Sequence, residues 1–306
     1  MKRIIVRLAE GLGNQMFMYA NAVHLSKKFN TQLIIDNKSA YFKKKNIRNF
    51  ELDIFKLSSS FAPDEYLFNN YFKDFKRKFL KKIDKYKKYK TFFIENKNGK
   101  KETFYESINL KDYKDQIFVE GHFESENYFA DSKDLLINEF TLKNNLIIEK
   151  TKYFDFLMKN NNNIVAIVLR QNRFSERTGN FNSEGSKQKS IDFVKEQINY
   201  FKRSTNYFKS KLNNPIFVVF SNKVDNLTNY FNANDYYLID TSCENKTVLD
   251  FGLLKLFKHF IVGPTSFNWW PAWLNFKNQN ETFIVRPKNI NVSKNIDFWP
   301  KDWISI

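Results

Sequence analysis

Cysteine is almost missing from this chain. Cys243 is the one cysteine in 306 residues, so no intramolecular disulfide can form. Histidine is nearly as scarce, and His24, His122 and His259 stand far apart. A zinc site needs Cys and His ligands at short, paired spacings, and these residues do not supply them. Eight glycines and six prolines are too few for a collagen-like or Gly/Pro-rich low-complexity chain. No run approaches the roughly 18 uninterrupted apolar residues of a membrane helix. The apolar stretch 4–8 gives way at Glu10-Gly11 and is too short for a signal-peptide core, so the expectation is a cytoplasmic protein. In that setting the Asn-x-Ser/Thr triplets at Asn226, Asn245, Asn280 and Asn291 read as chance. Acidic residues are the minority charge: 33 against 50 basic ones, a net charge of +17. Such a protein is drawn to anions, which include nucleic acid, anionic lipid and sugar nucleotides. A lysine-rich solvated surface explains the same number, and a nucleic-acid partner would rest on charge alone.

Hydrophobic residues make up 42% of the chain, enough to build real cores. The length fits two domains of roughly 150 residues each, which places them at 1–150 and 151–306, with the polar stretch 143–150 as the join. The opening pattern is a strand over 3–8, a turn at Glu10-Gly11-Leu12-Gly13, a helix over 14–29 and a strand over 32–36. This is a βαβ start with a glycine turn. The stretch 75–90 interleaves lysine with aromatic residues. It reads either as a basic amphipathic helix on an anionic membrane face or as a solvated helix with its aromatics turned to the core. A strand is expected over 117–119 and a helix over 134–140. The second half alternates regularly. Strands are expected over 164–169, 216–221, 236–239, 260–262 and 282–285, with helices over 190–211, 223–231, 246–257 and 266–276. Alternation of this kind implies an α/β protein with a parallel sheet. In such sheets ligands bind beyond the carboxyl ends of the strands.

Three constellations follow strands. In the first, Gly11-Leu12-Gly13-Asn14-Gln15, two glycines let the backbone approach a ligand, and the helix start favours an anion. A dinucleotide fingerprint would want a third glycine where Met16 stands, and an ordinary tight turn fits equally. The second runs from Arg170 to Arg177. An arginine at a strand's carboxyl end suits bidentate phosphate binding and favours departure of a nucleoside diphosphate. Glu176 is the nearest carboxylate for a general base. A surface ion cluster is the plain alternative. The third is Gly263-Pro264-Thr265-Ser266-Phe267-Asn268-Trp269-Trp270. Thr265 or Ser266 can cap the helix or bind phosphate with its free amides, and Trp269, Trp270 and Trp273 read as core anchors.

Together these segments resemble glycosyltransferase family 11, the bacterial and animal α-1,2-fucosyltransferases. The stretch from Glu10 through Ala20 is similar to the family's opening motif, and Glu120-Gly-His-Phe-Glu-Ser-Glu-Asn-Tyr-Phe to its mid-chain segment. Residues 250–274, with His259 and Phe267-Asn-Trp-Trp-Pro-Ala-Trp-Leu, resemble its C-terminal motif. Phe220-Ser221 stands where the family has a Phe-Ser-Asp-like element. The resemblance implies a GT-B architecture: two Rossmann-like domains facing across a cleft, the N-terminal one on the acceptor side and the C-terminal one binding the nucleotide sugar. It implies inverting, metal-independent transfer of fucose from GDP-fucose to a hydroxyl of an oligosaccharide or lipid-linked glycan, in α-1,2 linkage, for surface polysaccharide biosynthesis. GDP-sugar is then a co-substrate and no cofactor is needed. The donor would be held by Gly11, Gly13, Asn14, Gln15, Arg170, Ser221, Thr265, Ser266 and Phe267, with Arg170 and Glu176 catalytic. One departure stands out. Where the family has His-x-Arg-Arg-Gly-Asp-Tyr, this chain has Val168-Leu169-Arg170-Gln171-Asn172-Arg173-Phe174. Val168 cannot hydrogen-bond a nucleotide, which opens two alternatives: a different GDP-sugar, such as another deoxyhexose or a heptose, or a non-catalytic binding relative.

Overall fold

The structure is a computed structural model. It describes residues 2–43, 48–96, 103–178, 183–242, 245–277, 281–290, 293 and 295–306, excepting the side chains of 177 and 178. Cys243, Asn280 and Asn291 lie outside the described residues. Contacts divide the chain into two units. The first is Met1–Lys143 with Ser293–Pro300, the second Asn144–Val292 with Lys301–Ile306.

The first unit holds β1 (Arg3–Arg7), α1 (Leu12–Phe29), β2 (Gln32–Asp36), β3 (Ser60–Phe61), α2 (Tyr71–Asp84), β4 (Lys90–Ile94), β5 (Tyr113–Glu120) and α3 (Lys133–Glu139). Its strands form a parallel sheet in the order β3-β2-β1-β5-β4. α1 ends at Asn30, whose left-handed backbone (φ 49°) lets its region close on Ser26 and Lys27, as asparagine does at helix ends. Ile5, Ile34, Phe68, Phe92 and Phe118 are among the buried residues of its core. Residues 293–300 return to this unit, where the Asn295 amide nitrogen donates to the Glu124 carbonyl at 3.2 Å.

The second unit holds α4 (Leu146–Glu149), α5 (Phe154–Lys159), β6 (Ile164–Leu169), α6 (Arg173–Thr178), α7 (Glu184–Lys211), β7 (Ile216–Ser221), β8 (Tyr236–Leu238), α8 (Lys246–Leu254), β9 (His259–Ile261), α9 (Ser266–Asn275), β10 (Ile284–Arg286) and β11 (Ile304–Ser305). Its sheet is parallel throughout, ordered β11-β10-β9-β6-β7-β8. Counted from β6 this is 3-2-1-4-5-6 in reverse, the strand order of the Rossmann fold. All six residues of β6 are buried. A central parallel strand covered on both faces reads as an unbroken apolar run, and Ile-Val-Ala-Ile-Val-Leu is one. The α/β class and its GT-B pattern of two Rossmann-like units are therefore present.

Some local expectations fail. No long helix fills 223–231, only a short 3-10 turn at Leu227–Asn229. Asn226 sits left-handed at φ 64° and breaks the run. The helix sought over 75–90 starts earlier, at Asn70, whose side chain caps it by accepting from the Lys73 amide at 2.8 Å. It stops at Asp84, whose carboxylate takes the Thr91 and Phe92 amides at 2.9 Å, and the chain turns into β4. The stretch 143–150 contains the short α4 rather than open linker.

Candidate active site

In a doubly wound sheet the crevice lies where strand order reverses. In the second unit that place is between β6 and β9, paired through Val165–His259, Ala166–Phe260 and Ile167–Ile261. The segments following them are Arg170–Glu176 and Gly263–Asn268, two of the three constellations seen in the sequence. They are in direct contact. The Asn268 side-chain nitrogen donates to the Val168 carbonyl at 3.3 Å, and Arg173 Nη1 donates to the Pro264 carbonyl at 2.8 Å. The approach is close enough to dictate a glycine: a Cβ on Gly263 would lie 2.2 Å from the Val168 oxygen.

Thr265 is the N-cap of α9, its hydroxyl accepting from the Asn268 amide at 3.4 Å. Its own amide is used on the Gly263 carbonyl at 2.8 Å. The Ser266 and Phe267 amides stand in the first turn, where a helix has no internal acceptors. Thr265, Ser266 and Phe267 are all half-buried. Behind them Trp269, Trp270 and Trp273 are buried and packed ring on ring, with centroids 5.0–5.6 Å apart. The helix start is thus held by a rigid aromatic block.

Arg170 is fixed at both ends. Its backbone is gripped by the buried Gln197 of α7, which accepts from the Arg170 amide at 3.0 Å and donates to its carbonyl at 2.9 Å. Its guanidinium Nη2 donates to Glu176 Oε2. The other Glu176 oxygen accepts from the Asn222 side chain at 3.1 Å. Asn222 also pairs with the Gln171 backbone, accepting from its amide at 2.7 Å and donating to its carbonyl at 3.2 Å. Arg170 and Glu176 are about a quarter exposed, so a ligand can reach the cation. Asn172, left-handed at φ 51°, turns the chain from β6 into α6. Ser221 is buried, its hydroxyl accepting from Gln171 Nε2 at 3.2 Å and from the Lys223 amide at 3.3 Å. It stands behind the loop. Next to the loop, Asn172, Ser175, Lys187 and Lys223 border an open depression of about 400 Å³.

The glycine turn lies in the other unit, at that sheet's own reversal between β1 and β5. The mid-chain segment Glu120-Gly121 ends β5 beside it. Gly11 is the N-cap of α1, in extended backbone. The residue in left-handed geometry is Glu10, at φ 63°. The helix start already holds an anion, since the Leu12 amide donates to the Glu51 carboxylate. Gln15 is fully buried. It donates to the carbonyls of Glu10 and Asn49 at 2.9 and 2.8 Å and accepts from the Glu51 amide at 2.9 Å. Its amide therefore stitches the turn to the 49–51 segment. Gly13 is buried in the first turn and Asn14 is half-buried.

The sequence reading passed over a polar group at the carboxyl ends of β1 and β2. Arg7 Nε, Asp36 Oδ2 and Tyr41 Oη are buried without hydrogen-bond partners. Burial lowers the Arg7 pKa and raises that of Asp36. The signal that singled out Arg170, a charged side chain at a strand's end, marks Arg7 and Asp36 as well.

The family model described as glycosyl transferase family 11 matches residues 2–306. An alpha-1,2-colitosyltransferase of Escherichia coli is 26% identical, over 100% of this chain and 99% of that protein. The O-antigen biosynthesis glycosyltransferase WbnK of Escherichia coli is 22% identical, over 98% and 99%. Among solved structures, a mutant of Arabidopsis thaliana FUT1 in complex with GDP superposes with a TM-score of 0.52. That match is 12% identical and covers 90% of this chain and 68% of that one, a likeness of fold.

Proposed function

The chain belongs to glycosyl transferase family 11 and is a glycosyltransferase; from that premise we propose that it transfers a fucose-type deoxyhexose from a GDP donor to a hydroxyl of an oligosaccharide or lipid-linked glycan. The setting we propose is the cytoplasm, as a step of surface polysaccharide assembly with α-1,2 linkage. The observation that carries the donor assignment is that Arg170 and the start of α9 follow the neighbouring strands β6 and β9 at the sheet's reversal, where Arg173 holds the Pro264 carbonyl. A cation and the first turn of a helix thus stand at adjacent strand ends, where a Rossmann sheet receives a nucleotide's phosphates. The relatives' names support the sugar and the glycan: colitosyl transfer for one, O-antigen biosynthesis for the other. The solved FUT1 structure holds GDP.

In this proposal the acceptor oxygen attacks the anomeric carbon in one displacement. The bond from that carbon to the β-phosphate oxygen breaks, its electron pair leaves with GDP, the acceptor's hydroxyl proton passes to water, and the configuration inverts. The transition state has oxocarbenium character, as in glycoside hydrolysis. Arg170, together with the Ser266 and Phe267 amides, neutralises the charge gathering on the diphosphate. In the same proposal Glu176 and Asn222 keep the guanidinium aimed, which makes Glu176 a positioning residue rather than the base. Gln15 and Ser221 likewise act as supports for their loops.

A second reading concerns the sugar alone. Val168 replaces the histidine of the family motif, and a colitosyltransferase is among the relatives. Colitose is fucose without its 3-hydroxyl. Incubating the protein with GDP-fucose, GDP-colitose and GDP-mannose, with and without a glycan acceptor, separates these readings. Release of GDP is expected from one deoxyhexose donor. If neither deoxyhexose donor is consumed above background, the proposed donor is wrong.

A further inference from the structure

Helix α2 is built inside out. Asp74, Arg77, Lys81 and Asp84 face the protein. Arg77 Nη1 donates to both Glu120 oxygens at 2.7 Å, its Nη2 donates to Asp74 at 3.0 Å, and Lys81 reaches Glu120 at 2.6 Å. Asp84 caps the following strand. Of the apolar residues, Leu80 packs against the core. The aromatics face out: Phe72, Phe75 and Phe79 are 78%, 71% and 56% exposed, and Tyr71 is 76% exposed. At 100° per residue, these four share one stripe of the helix. Lys78 flanks it on one side and Lys76 on the other, and Lys82 falls within it near its C-terminal end, all exposed. Just beyond the helix, Tyr86 is 91% exposed. Over 71–90 there are nine lysines and one arginine against two aspartates.

Water alone gives no reason for a helix to turn phenylalanines outward while burying its ion pairs. An exposed apolar stripe rimmed by charge marks an interaction surface. Its chemistry selects the partner. Aromatic side chains suit the boundary between headgroups and acyl chains, and the flanking lysines suit negative headgroups. We infer that α2 is a membrane-docking helix that lays Phe72, Phe75 and Phe79 into the surface of an anionic bilayer. The charge complementarity argues against a second copy of this equally basic chain. The surface is independent of which sugar is transferred.

Co-sedimentation of the full chain with vesicles tests the assignment. Vesicles of phosphatidylcholine with about 30% phosphatidylglycerol should bind it, and pure phosphatidylcholine should not. The variant F72S/F75S/F79S should bind anionic vesicles about tenfold more weakly or worse while keeping the wild-type circular dichroism melt. F75W is a conservative reporter whose added emission should shift to the blue on anionic vesicles. The inference is overturned by equal binding to both vesicle types, by undiminished binding of a folded triple variant, or by no shift in F75W. It is also overturned if, without lipid, sedimentation velocity shows self-association that the triple variant abolishes. None of these readouts uses donor or acceptor, so failure here leaves the transferase assignment standing, and the reverse.

Discussion

At the scale of single residues, the proposed mechanism turns on how Arg170 is held. Gln197 grips its backbone, and Glu176 holds its side chain. If Arg170 donates to the leaving group as proposed, Arg170→Ala should lower kcat by about 10²–10³, with Arg170→Lys recovering part of it, since a lysine keeps the charge without the fork. Near wild-type turnover in the alanine variant would remove Arg170 from the mechanism. Glu176→Gln keeps an acceptor in place but removes the charge. If Glu176 positions Arg170, activity should fall by the same factor across the pH range. A base would instead lose the acid limb of its pH–rate profile. Arg170 and Glu176 were legible in the sequence because a basic residue directly followed an apolar strand. Gln197 was not, since nothing local links a glutamine on a helix to a strand end 27 residues earlier. The same holds for Glu51, which meets the start of α1 only through the fold.

At the scale of elements, two junctions carry specific consequences. The first is the contact of β6 with the turn after β9. Gly263→Ala would drive a methyl into the Val168 carbonyl. The strand is buried and cannot yield, so a loss of about 2 kcal/mol or more is expected in urea unfolding. The second is the ion cluster under α2. Burial by itself would push Asp74 and Glu120 up. The cations of Lys43, Arg77 and Lys81 overcome it and hold both below the usual carboxylate range. A lowered folded pKa stabilises above the unfolded value, near pH 4, and that stability is lost as pH falls through the folded value. Arg77→Ala should therefore cost about 3 kcal/mol at neutral pH and move the acid-unfolding midpoint upward in a far-UV titration. An unmoved midpoint would mean that Lys43 and Lys81 suffice. Elements with an unbroken pattern were read at their observed bounds, as at 164–169 and 216–221. The orientation of α2 could not be read from periodicity, because its apolar stripe is real but faces away from the core.

At the scale of the whole molecule, the chain is two Rossmann-like units, each with its characteristic motifs at its own strand-order reversal. A ligand that binds one unit should protect that unit. In hydrogen exchange, GDP should slow the amides of 170–176 and 263–268. At about 100 times its Kd it should add about 2.7 kcal/mol to the stability of whatever it binds. Protection at 11–15 as well would add the glycine turn to the donor site, while protection confined to the first unit would overturn the assignment to β6 and β9. The sequence by itself determined the α/β class, the strand–turn–helix segments and the family, because apolar runs, turn residues and motifs are local patterns. Only the tertiary structure decided that Arg170 and Thr265 follow neighbouring strands, that Glu51 already occupies the first helix start, and that the phenylalanines of α2 face solvent. Each of these depends on which distant side chain a group meets, and that is set by strand order and burial rather than by neighbours in the chain.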